Sequence, residues 1–145
     1  MNKSILLIAL LLMLSFVTVN AMDHWEILLN KQVIFKGTSE QENPTLQFKT
    51  RTFKKTDSFT LRYTSENAQS GWNRTFHVTD LEEKNLKTVS IDKQSGQVSV
   101  KASAVKEIMG KKQPVFIYTT SLPKDPSKAA TVRIRRILLC KVEWN

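Results

Sequence analysis

Two histidines, one cysteine and a short run of acids are the residues with the types for covalent or metal chemistry, and their spacing supports little of it. A cysteine nucleophile needs a thiolate made by a neighbouring base, and Cys140 has only His77 or His24 to draw on. Cys140 alternates with Leu138 and Val142, which predicts a small buried hydrophobe rather than an exposed thiol. His77 stands between Thr75 and Thr79 on the polar side of a strand pattern, and His24 lies close to the start of the mature chain set out below. Asp80, Glu82 and Glu83 follow that strand. A glycosidase would hold two carboxyl groups about 5–9.5 Å apart across a cleft, whereas acids crowded into one turn predict a solvated loop. The loop also lacks the alternating Asp/Asn ligands of a calcium site. No HExxH, CxxC, GxSxG or P-loop spacing occurs. Catalysis, a metal site and a cofactor are therefore not expected.

Binding chemistry is better represented. The chain carries 22 Lys+Arg against 13 Asp+Glu, for a formal charge of +9. From Met22 to Glu83 the count is 8 basic against 9 acidic residues, and from Lys84 to Asn145 it is 13 against 4. Such asymmetry predicts a basic face for an anionic partner, an anionic envelope polymer or an acidic protein, with a solvated lysine-rich surface as the plainer reading. Arg133, Arg135 and Lys141 form the densest basic stripe, with Lys111 and Lys112 nearby. Strict alternation along Thr131–Cys140 would bury Arg136 between Ile134 and Leu138, which is too costly without a partner. Either a bulge at Arg135-Arg136 resets the face or a carboxylate pairs with Arg136. Trp25, Trp72 and Trp144 add aromatic surface. Trp72, after Ser70-Gly71 at a loop-to-strand junction, is the indole placed to stack on a ligand; packing in the core or at its rim is the alternative. Nucleic acid is not an expected partner, because no RNP, OB or helix-turn-helix signature is present. Asn73-Arg74-Thr75 fits a glycosylation sequon that carries no meaning in a bacterium.

The elements that must position these residues read as strands. Trp25, Ile27 and Leu29 alternate with polar residues, and Asn30-Lys31 predicts a two-residue turn into Gln32–Lys36. Leu46 and Phe48 share a face after the polar loop 37–44. Phe59–Thr64 is the cleanest period-two stretch, and Trp72–Asp80 places Phe76 and Val78 inward. Leu86–Ile91 and Gln97–Lys101 are shorter strands joined by a turn. Ser103 is predicted to cap a short helix closed by Gly110, with Val105, Ile108 and Met109 on one face. Pro114–Thr120 and Ala130–Val142 are further strands, separated by 121–129, where Pro123 and Asp125-Pro126 resist regular structure. Eight or nine evenly spaced strands with one short helix near 103–110 predict a single all-β antiparallel sandwich, immunoglobulin-like or jelly-roll-like, over residues 22–145.

Residues 1–21 read as a secretory signal peptide: Lys3, an apolar run from Ile5 to Val19, and small residues at Val19 and Ala21 ahead of Met22. The run is shorter than the ~20 residues that span a bilayer, so no stable membrane span is expected after cleavage. One cysteine permits no internal disulfide, and a small exported chain without bridges favours a bacterial, periplasmic or secreted protein. No motif is specific to a known family. The expected function is non-catalytic binding, with a structural subunit of an envelope assembly, or a small hydrolase using carboxylates such as Asp80 and Glu83, as alternatives.

Overall fold

Period-two sequences make strands, and strands with one apolar face stack as two sheets. A computed structural model describes residues 22–49, 54, 56–109 and 113–144. The predicted signal segment, Gly110, Lys111 and Lys112 lie outside the described residues. Among the described residues nine strands run β1 (His24–Leu29), β2 (Gln32–Thr38), β3 (Thr45–Phe48), β4 (Ser58–Thr64), β5 (Trp72–Thr79), β6 (Asn85–Ile91), β7 (Gly96–Lys101), β8 (Val115–Pro123) and β9 (Ile137–Trp144). Helix α1 (Ala102–Met109) follows β7, and a single helical turn α2 (Pro126–Ala129) follows β8. One sheet has the order β2-β1-β4-β7 and the other β3-β9-β8-β5-β6. The chain is an all-β sandwich.

The opening hairpin turns at Asn30-Lys31, both in the left-handed region at φ 49° and 72°, which is the twist a two-residue hairpin requires. Asn30 then locks the turn to the rest of the sheet: its side chain donates to Asp57 Oδ1 at 2.7 Å and accepts from Ser58 N at 3.0 Å. Asn30 and the Lys54 amide hold the Asp57 carboxyl below the usual range. The sandwich is not wholly antiparallel. β3 lies parallel to β9, with Leu46 opposite Val142 and Phe48 opposite Trp144. The segment after β2 crosses from one sheet to the other and enters at an edge, so no hairpin dictates its direction.

Two apolar clusters fill the interior. One gathers Ile27, Leu46, Phe48, Phe59, Val115, Cys140 and Val142; the other gathers Trp25, Tyr63, Phe76 and Leu139. Trp25 is the joint between the sheets, its ring stacked on Tyr63 at 5.9 Å and its Nε1 donating to Leu139 O at 2.9 Å. That carbonyl sits at a bulge, where Ile117 pairs with Cys140 and Tyr118 with Leu138, leaving Leu139 without a cross-strand partner. The bulge puts Leu139 and Cys140 side by side in the core at 0% exposure.

Further expectations need correction. The last strand begins at Ile137, not Ala130, because residues 130–136 follow α2 as irregular chain. Arg136 therefore lies outside the strand and is exposed, and the bulge falls at Leu139 rather than at Arg135-Arg136. Ser103 is not a helix cap, since α1 starts one residue earlier. Asp125-Pro126 starts α2 instead of resisting structure: Asp125 Oδ1 accepts from Ser127 N at 2.9 Å, and proline's fixed φ suits the first helical turn.

Candidate functional site

The connection from β8 to β9 carries a run of exposed arginines. Arg133, Ile134, Arg135 and Arg136 line one surface concavity, and Ile134 is 56% exposed. Among the described residues, Arg133 and Arg135 have no carboxylate within ion-pair distance. Arg136 is positioned: its guanidinium lies 3.7 Å over the Tyr118 ring, and Nη1 is 3.7 Å from Glu83 Oε2. Tyr118 in turn stacks on Phe116 at 6.2 Å, so an aromatic pair on β8 supports the arginine from below. The basic stripe expected from the sequence is divided. Lys141 sits within β9, paired with Glu143 Oε1 at 2.5 Å, and takes no part in the concavity.

His77 lies half-buried beside this group, with Nε2 3.2 Å from Thr120 Oγ1. Burial, and then the Arg136 charge, hold its pKa below the ordinary value. Glu83 is drawn to Arg136, and Asp80 Oδ1 accepts from Glu82 N and Lys84 N, closing the β5–β6 turn. Each acid of the Asp80–Glu83 group thus either shapes the turn or points to an arginine, apart from exposed Glu82. Cys140 is fully buried, and burial pushes its thiol up to about 12. Trp72 opens β5 half-buried, opposite Pro123, after Gly71 at φ 75°. Trp144 stacks on Phe48 at 5.3 Å, and its buried Nε1 has no hydrogen-bond partner among the described residues.

Sequence reasoning missed the buried cation. Arg74 is 3% exposed, on the same face of β5 as Phe76. Its Nε donates to Gln94 O at 2.6 Å, its Nη1 to Thr119 Oγ1 at 3.3 Å, and its guanidinium lies 3.8 Å over the Tyr63 ring. The Tyr63 hydroxyl donates to Asp23 Oδ2 at 2.6 Å, and Asp23 Oδ1 accepts from Ser65 Oγ and Glu66 N. Burial and that carboxylate raise the Tyr63 pKa, while Arg74 and Arg135 oppose the rise; burial lowers that of Arg74. The signal available in the sequence was Arg74 itself, which takes an inward position in the Arg74-Phe76-Val78 alternation.

No protein-family model matches this chain, and no curated protein matches it either. Among the described residues no group of three or more His, Cys, Asp and Glu could hold a metal ion, and no helix is long and apolar enough to cross a membrane.

Proposed function

We propose that this is an exported, non-catalytic β-sandwich that binds an anionic envelope polymer through the arginines of the β8–β9 connection. The observation that carries the reading is three arginines lining one concavity, two of them without a carboxylate partner among the described residues. Guanidinium forks match phosphate and carboxylate oxygens in a bidentate way, and a polymer offers such groups at repeated intervals. Arg136, held by Tyr118 and Glu83, fixes one edge of the site, and the exposed Ile134 adds an apolar contact between charges. Export follows from residues 1–21 as a signal peptide.

The test is capture from an envelope extract on the immobilised protein, at low and at high salt. Polymer rich in phosphate or uronate, bound at low salt and released at high salt, is the expected outcome. Retention of a discrete protein instead would assign the face to an acidic protein partner, and capture of neither would remove the proposal.

A further inference from the structure

An apolar cavity of about 120 Å³ lies between the two sheets beneath α1, and among the described residues its wall contains one cationic side chain. Phe48, Phe59, Leu61, Val100, Ile108 and Ile117 are among the lining residues, and Lys87 is another. Along β6, Lys87, Val89 and Ile91 are half-buried while Leu86, Thr88 and Ser90 are exposed. Lys87 therefore occupies an inward position that its neighbours on the same strand fill with aliphatic side chains. Its backbone pairs with Val78, itself packed on the core. Among the described residues no carboxylate lies within ion-pair distance of the Lys87 ammonium. A lysine can line an apolar wall with its stem and keep its charged head at the rim, where the ammonium is left to meet solvent or an anion. A position that breaks the alternation without internal compensation marks a site of function more often than of stability.

We propose that the cavity takes the tail of a short-chain carboxylate, with the Lys87 ammonium donating to the carboxylate at the rim. The volume is on the scale of the dry engineered cavity of about 150 Å³ that binds benzene, which limits the tail to roughly four to six carbons. Besides Lys87, the lining side chains that carry a polar atom are Thr60, whose Oγ1 is paired with Ser99 Oγ at 2.8 Å, and Trp144, whose buried Nε1 has no hydrogen-bond partner among the described residues; the other lining side chains are hydrocarbon, so a largely unsubstituted chain fits best. The cavity shares no residue with the concavity at Arg133–Arg136, and this proposal stands independently of the function proposed above.

Titration with hexanoate and with 1-hexanol, followed by methyl chemical shifts and calorimetry, tests it. Hexanoate should shift the methyl groups of Leu61, Val100, Ile108 and Ile117 in a saturable way. Lys87→Met keeps the length and apolar stem of the side chain, and should weaken hexanoate about tenfold or more while changing 1-hexanol by about twofold or less. Shifts confined to the Arg133–Arg136 segment would place the carboxylate on the arginines and overturn the proposal. So would an unchanged hexanoate affinity in Lys87→Met, an equal loss of both ligands, or no binding of hexanoate at all.

Discussion

Arg74 and Arg136 are both stacked on tyrosine rings, yet their energetic roles are opposite. Arg74 is sealed between the sheets and joins β5, β8 and the β6–β7 turn through Thr119 and Gln94. Removing it leaves the part-buried Gln94 carbonyl without its donor and the Tyr63–Asp23 pair without its cation, so Arg74→Ala should lower unfolding stability by about 3–5 kcal/mol in urea titration. Arg136 keeps one face in water, and Arg136→Ala should cost no more than about 1 kcal/mol. His77 provides a pH readout of the same neighbourhood. Its folded pKa is depressed by burial and by Arg136, so below the ordinary value of about 6.5 the unfolded chain binds a proton that the folded chain excludes. Stability should therefore fall as pH drops through that value, and His77→Gln should flatten the fall. An unchanged pH slope in the variant, followed by urea midpoints at several pH values, would remove His77 as its source.

The strands show where sequence pattern is sufficient and where it is not. Alternation locates β1, β2, β4, β5 and the inward faces of Phe76, Leu46 and Phe48, because those patterns are local. The left-handed pair Asn30-Lys31 is legible for the same reason. The parallel pairing of β3 is not, since it depends on which sheet the chain enters after β2. The bulge at Leu139 is not either: it coincides with the carbonyl that accepts from Trp25 Nε1, a contact made across 114 residues of chain. That bulge is the reason Leu138 falls opposite Tyr118 instead of sharing a face with Cys140. Arg133 and Arg135 as exposed cations were legible from their charge, whereas the burial of Arg74 and the cavity beside Lys87 depend on how the two sheets close. Close approach at Gly37 makes the joint testable. A Cβ there would stand 2.3 Å from Trp25 Nε1, and the indole is held on its other sides by Tyr63 and Leu139. Gly37→Ala should destabilise by about 1–3 kcal/mol in thermal or urea unfolding, where a solvent-facing strand glycine would gain from the same change.

For the molecule as a whole, charge and compartment are linked. The excess of basic residues lies in the second half, and the connection that displays two arginines without ion partners among the described residues is the part most able to meet an anion. The proposed export places that face among envelope polymers. N-terminal sequencing of the exported protein should begin at Met22, and recovery of residues 1–21 in a membrane fraction would contradict cleavage. The most direct test of the binding claim compares the protein with the double variant Arg133→Ala, Arg135→Ala, using labelled dextran sulfate as a soluble polyanion and fluorescence anisotropy as the readout. Screening lengths shrink from ~10 Å at 0.1 M salt to ~3 Å at 1 M, so affinity should fall steeply across that range. The double variant should bind at least about tenfold more weakly at 0.1 M salt, with a flatter salt dependence and a melting temperature changed by little, because exposed charges contribute little to stability. Equal affinity and equal salt dependence in the two proteins would contradict the assignment of the β8–β9 connection as the anion-binding face.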